Sequence, residues 1–158
     1  MDLDRFDARL LAEVQQNNRI PSEVLAERVG LSPSAVQRRL KILRAQGVIE
    51  SEVAVLNPQA VGQSVTMVVL VALERERPDI IDRFKQTIRD TPQLMAGYLV
   101  TGDADFVLVV TTEDIERYEH FTRRFFHSNP DIKWYKTLVA LDRVKASFAL
   151  PFDLNRFK

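Results

Sequence analysis

The chain has 158 residues, 46% of them hydrophobic, and its 22 Lys and Arg balance its 22 Asp and Glu to a formal net charge of zero. That length allows one domain or two small ones with real cores, and the balance excludes a uniformly basic nucleic-acid coat: affinity for a polyanion must come from a local cluster. Cys is absent, which excludes disulfides, thiolate metal sites and a cysteine nucleophile. The longest apolar run, residues 65–73 broken by Thr66, is too short to cross a bilayer, so the expectation is a soluble cytoplasmic protein without membrane attachment.

In chain order, Leu3, Phe6, Leu10 and Val14 recur at helical spacing and predict a first helix that Asn17-Asn18 ends. A second helix over residues 21–29 offers Val24, Leu25 and Val29 to the same core. Gly30-Leu31-Ser32 then makes the tight turn of a helix-turn-helix. Ser32 is a good N-cap, because its hydroxyl can accept from a free first-turn N–H, and Pro33 fits the next position, where no backbone donor is needed. Val36, Leu40 and Leu43 form the buried stripe of a third helix, which turns Ser34, Gln37, Arg38 and Lys41 outward. No acid lies between Glu27 and Glu50, so nothing within this helix neutralises Arg38, Arg39, Lys41 and Arg44, and phosphates would meet uncompensated cations. Gln46-Gly47 stops the helix. Residues 50–56 alternate weakly and predict a wing or linker strand, broken by Asn57-Pro58.

From Ser64 the composition changes, and β-branched residues predict a strand over 64–75. A helix over 78–90 follows, with Ile81, Phe84 and Ile88 on its buried face. Strands over 94–101 and 106–111 flank Gly102-Asp103-Ala104-Asp105, a hairpin signal. A helix over 113–127 buries Ile115, Tyr118, Phe121 and Phe125, and the last strand spans 132–146. The expected fold is α+β: an N-terminal helix-turn-helix domain (1–50), a linker strand (51–63) and a ferredoxin-like β-α-β-β-α-β domain (64–158). One sheet face lacks helices. A row such as Val65, Met67, Val69 and Val71, or its alternate, would lie bare there, so at least a homodimer is expected.

Other functions find little support in the residues. RNA-recognition modules on this sheet stack bases on aromatics of the central strands, and here those strands offer only Phe106. His120 and His127 have no triad partners, no phosphate loop or metal motif is present, and no cofactor is expected. Asp103 and Asp105 belong to a hairpin, where Asp ordinarily shapes the turn.

Leu31-Ser32-Pro33 leading to Arg39, Leu43 and Gln46-Gly47-Val48-Ile49, then Leu56-Asn57-Pro58 and Gly62, then Val100-Thr101-Gly102-Asp103-Ala104-Asp105-Phe106, resembles the Lrp/AsnC ("feast/famine") transcription regulators. The resemblance runs over nearly the whole chain. It implies an N-terminal helix-turn-helix and a C-terminal domain for effector binding and oligomerisation, dimers that assemble to tetramers or octamers, and small effectors that are usually amino acids. Departures are Pro21 in place of a capping serine, with Ser22 a substitute cap, Arg44 where an acid is common, Glu50-Ser51-Glu52 in the linker, and Ala104 in place of a bulky turn residue.

These readings converge on a sequence-specific regulator of double-stranded DNA that answers an amino acid or related metabolite. The expected DNA-binding set is Ser32, Ser34, Gln37, Arg38, Arg39 and Lys41, with Arg38 and Lys41 on phosphates, Ser34 and Gln37 on base edges and Arg39 in either role. A free amino acid needs a carboxylate for its ammonium and N–H groups or a cation for its carboxylate. Thr101, Gly102, Asp103 and Asp105 offer these, and the resemblance places the effector at this turn, between dimers. Tyr98, Phe106, Tyr135 and Thr137 lie on strands able to line the pocket. Two alternatives share the architecture: a sirohaem-decarboxylase-like enzyme using His120 or His127, and an architectural DNA-binding protein without effector.

Overall fold

The computed structural model describes residues 3–75 and 77–157. The chain forms two compact units, Met1–Ala54 with Lys145–Lys158, and Val55–Val144. The first unit holds α1 (Arg5–Val14), α2 (Ser22–Val29) and α3 (Pro33–Ala45). Asp4 caps α1: its carboxylate accepts from the N–H groups of Phe6 (2.8 Å) and Asp7 (2.9 Å), and the Asp7 carboxylate accepts in return from the Asp4 N–H at 3.3 Å. No side chain caps α2. Pro21 occupies the cap position and Ser22 is the first helical residue, so the expected substitute cap does not form.

Gly30 ends α2 in the left-handed region at φ +76°, where a side chain would be strained, and so permits the sharp entry into α3. Leu10, Leu25, Val29, Val36, Leu40 and Leu43 form the core of this unit. Each such burial stabilises by about 1.5–3 kcal/mol. Sequence reading assigned residues 145–158 to the second domain. Instead they fold with the first unit: the Gln15 side-chain amide accepts from the Leu150 N–H at 2.9 Å and donates to the Leu150 carbonyl at 3.1 Å.

The second unit is a four-stranded antiparallel sheet in the order β2-β3-β1-β4, from β1 (Val65–Leu73), β2 (Leu94–Leu99), β3 (Phe106–Thr112) and β4 (Ile132–Val139). α4 (Pro78–Arg89) follows β1. α5 (Ile115–Thr122) follows β3 and runs into a π-helical turn, Arg123–His127. This is the ferredoxin-like arrangement expected. Met67, Val69 and Val71 pair with Val110, Leu108 and Phe106, and all six pack with Phe84, Phe121, Phe125 and Phe126 beneath the helices. Gly97 lies under α4, where an added Cβ would come within 2.7 Å of Ile88 Cγ2.

The opposite sheet face carries the alternate row of β1, Val68 and Leu70, beside Val107, Val109, Trp134 and Leu138. The π-helical turn explains a difference in α5. An inserted residue turns both Phe125 and Phe126 inward, whereas strict helical spacing offered only Phe125. Ile115, expected inside, lies in the first turn and is exposed. β4 stops at Val139 rather than 146 because its neighbour β1 begins at Val65, and the Ala140 N–H to the Thr66 carbonyl (2.9 Å) is the last rung. Residues 50–56 form no strand, since no segment among the described residues pairs with them.

Candidate functional site

The Ser32 hydroxyl caps α3 by accepting from the Ala35 N–H at 3.3 Å, and shares a hydrogen bond of 3.1 Å with the Ser34 hydroxyl. With Val36, Leu40 and Leu43 buried, Ser34, Gln37, Arg38 and Lys41 stand exposed on one side. Among the described residues Arg38 and Lys41 have no carboxylate partner, while Arg39 and Arg44 do. Arg39 Nη1 lies 2.8 Å from both Asp4 and Asp7, and the guanidinium stands over the Phe6 ring.

The hydrogen bond to Asp7, before that to Asp4, raises the Arg39 pKa despite burial. At Asp4 burial pushes upward, but the Asp7 N–H and Arg39 outweigh it and hold the carboxyl below its usual range. Arg44 forms a two-pronged pair with Glu52 at 3.0 and 2.8 Å, which raises the Arg44 pKa and lowers that of Glu52. The expected patch is therefore corrected. Arg39 ties the helix to α1, and of the four cations expected to be uncompensated, Arg38 and Lys41 are the two with no carboxylate partner among the described residues. Acids outside α3, at the α1 cap and beyond Gly47, supply the compensation that α3 itself lacks.

At the far end of β2 the 101–105 turn borders an open concavity lined by Ile81, Leu99, Val100, Thr101 and Asp105. Gly102 takes φ +127°, a conformation that side chains rarely adopt. Asp103 is exposed and, among the described residues, unpaired. Asp105 is already engaged: its carboxylate accepts from the Leu73 N–H at 2.6 Å, its N–H donates to the Val71 carbonyl at 2.9 Å, and its carbonyl accepts from the Val100 N–H at 2.8 Å.

The strand residues expected around this turn do not gather there within one chain. Phe106 is 1% exposed and meets Phe84 edge-on at 4.9 Å under the helices, because its register partner Val71 faces that way. Tyr98 pairs with Val107 and points to the helix-free face. Tyr135 and Thr137 lie on β4, the opposite edge of the sheet, about 14 Å from β2 at ordinary strand spacing. Tyr135 stacks on Phe126 and shares a hydrogen bond with His127 Nε2 at 2.6 Å, and Thr137 meets the Tyr118 hydroxyl at 2.5 Å. Sequence reading missed Ile81, Leu99 and Val100 as lining. Ile81 carries the same helical spacing as the core residues, so nothing in the pattern marks it.

Two family models match the chain, an AsnC-type helix-turn-helix domain over residues 3–44 and an Lrp/AsnC ligand binding domain over residues 66–150. The chain belongs to the Lrp/AsnC family. It is a helix-turn-helix transcriptional regulator with a ligand-binding domain. An uncharacterized HTH-type transcriptional regulator of Sinorhizobium fredii is 62% identical over 98% of this chain and 91% of its own length. The leucine-responsive regulatory protein of Escherichia coli K12 is 32% identical over 92% of this chain and 89% of its own. Among solved structures, a transcriptional regulator of Neisseria meningitidis in complex with L-Met superposes with a TM-score of 0.86 at 29% identity, covering 94% of this chain and 96% of that one. An AsnC family regulator of Agrobacterium tumefaciens gives the same TM-score and identity, covering 94% and 97%.

These relatives are regulators and do not favour the decarboxylase reading. His120 and His127, on which that reading rested, stand on α5 and its π-helical turn, and His127 is bonded to Tyr135. Among the described residues no helix is long and apolar enough to cross a membrane, and no cluster of His, Asp and Glu is arranged to hold a metal ion.

Proposed function

We propose that this regulator reads duplex DNA with the exposed face of α3 and answers an amino acid bound at the 101–105 turn. The observation that carries the first half is the pairing pattern on α3. Among the described residues Arg38 and Lys41 lack carboxylate partners beside the exposed hydroxyl of Ser34 and amide of Gln37, while Arg39 and Arg44 are held by acids. Arg38 and Lys41 contact phosphates, which fixes orientation and gives salt dependence, and Ser34 and Gln37 reach base edges. Ser32 holds the start of the helix. Arg39 positions the helix from behind.

For the effector, Asp103 is the free carboxylate for an ammonium, and the hydroxyl of Thr101 and the backbone beside Gly102 meet the carboxylate end. Support comes from the concavity beside these residues and from the relative solved with L-Met. A second copy covers the apolar sheet face of Leu70, Val107, Val109 and Leu138, giving a dimer able to assemble further, and the protein works in the cytoplasm. Calorimetry with a panel of the common amino acids on wild type and Asp103→Ala tests the effector site. Binding by wild type, lost in the variant, is expected. No binding to wild type would leave the protein an architectural or effector-free regulator, and unchanged affinity in Asp103→Ala would leave the turn a structural element.

A further inference from the structure

A second concavity lies between the C-terminal end of α4 and the exposed side of α5, at the far end of β3 from the 101–105 turn. β3 is seven residues long, which separates the two places by roughly 20 Å. Arg117, His120 and Arg124 line one wall, spaced to share one side of α5 and its π-helical turn. Phe121 and Phe125, with rings stacked 5.1 Å apart, back them with apolar surface.

The partners already taken define what this groove lacks. Its two acids are engaged, Asp90 at both oxygens by the neutral Gln86 side-chain amide at 2.9 Å and Glu113 by Arg117 at 3.7 Å, so Arg117 already shares its charge with a carboxylate. The side chains of His120 and Arg124 make no hydrogen bond or ion pair among the described residues. Across the groove, Thr87 and Thr91 donate their hydroxyl protons to the main-chain carbonyls of Arg83 (3.0 Å) and Thr87 (2.6 Å), so these oxygens have only acceptor capacity to offer. On one wall His120 and Arg124 therefore offer donors to an anion, with Arg117 shared between it and Glu113, and the other wall accepts hydrogen-bond donors.

We propose that this groove binds a small hydroxylated oxyanion, its carboxylate or phosphate head on Arg117, His120 and Arg124 and its hydroxyls donating to Thr87 and Thr91. The site would give the regulator an input chemically distinct from a zwitterion at the turn, and it stands whether or not an amino acid binds there. Carboxylate and phosphate share the oxyanion chemistry, so the test carries one probe of each.

The experiment follows the ring resonances of His120 and His127 in the intact protein by NMR during titration with L-malate, with inorganic phosphate and with sodium chloride at matched ionic strength. A saturable shift of His120, not of His127, with malate, phosphate or both is expected, and the more effective probe identifies the head group. Arg117→Gln and Arg124→Gln should each raise the midpoint about tenfold or more, because each removes a charge-assisted contact. Arg123→Gln, an exposed neighbour outside the groove, should leave it unchanged, as should Asp103→Ala at the turn. An absent or unsaturable shift with both probes, an equal shift in chloride, or unchanged midpoints in both groove variants would overturn the proposal.

Discussion

The recognition helix and the 101–105 turn are both polar stretches on buried scaffolds, yet they divide their charge differently. On α3 the division is between residues: Arg39 and Arg44 are held by carboxylates, while Arg38 and Lys41 have no such partner among the described residues. At the turn it runs within a few atoms, for Asp105 accepts with one oxygen from the Leu73 N–H while Asp103, two residues earlier, has no partner among the described residues. A charged residue in a functional stretch is thus either reserved for a ligand or already holding the fold, and its partners decide which. Substitutions that separate stability from binding test each assignment.

The largest effect is expected on the helix-free face of the sheet. Val109→Asp places an unpaired carboxylate in the proposed dimer interface, where an uncompensated buried charge costs about 3–5 kcal/mol. Light scattering should give a dimer or larger for wild type and a mass near 18.1 kDa for the variant. A wild-type monomer at micromolar concentration would break the assembly reading.

Next is Arg39→Ala, which leaves the buried Asp7 carboxylate without its cation. The pair is partly open to solvent, so about 2 kcal/mol is expected rather than the full cost of a buried pair. The first unit should melt earlier, whereas Arg38→Ala should leave its stability within about 0.5 kcal/mol. Equal melting of the two variants would show that Arg39 does not position the helix.

At the turn, Asp105→Ala strands the Leu73 N–H and should cost about 1–3 kcal/mol of stability in the second unit. Asp103→Ala should cost almost nothing in stability and abolish the amino-acid response. Chemical denaturation of both variants, set beside calorimetry, separates the roles, and a stability loss in Asp103→Ala would reverse them.

The smallest effect concerns acid. Because the folded state lowers the Asp4 and Glu52 pKa values, their contribution is fully present above the ordinary carboxylate range. It is lost as pH falls through the lowered values, below about pH 4. In acid titrations of melting, replacing Asp4 by Asn should flatten this decline for the first unit, and an unchanged slope would remove Asp4 from the account.

Much of this was legible locally. The Ser32 cap, the Val36, Leu40 and Leu43 stripe and the β-α-β-β-α-β order each follow from residues a few positions apart, where hydrogen bonding and periodicity act directly. What escaped depends on distant segments. The absence of acids within α3 said nothing of Asp4 and Asp7, which reach Arg39 only when α1 packs beside it. β1 is apolar on both faces, so alternation alone offered no choice between the Met67, Val69 and Val71 row and its alternate. Tyr135 and Thr137 were drawn to the turn because strand order was not in hand, and that order puts β4 on the opposite edge from β2. Residues 145–158 followed the sheet in sequence but fold with the first unit.

The central claim is that α3 meets DNA with Arg38 and Lys41 while Arg39 works from behind. It is tested most directly by the salt dependence of duplex binding for wild type and for the Arg38→Ala, Lys41→Ala double variant. The double variant should bind more weakly to every sequence and lose about two units of the log–log salt slope, about one per phosphate contact, with its melting unchanged. Affinity and slope equal to wild type would contradict the claim.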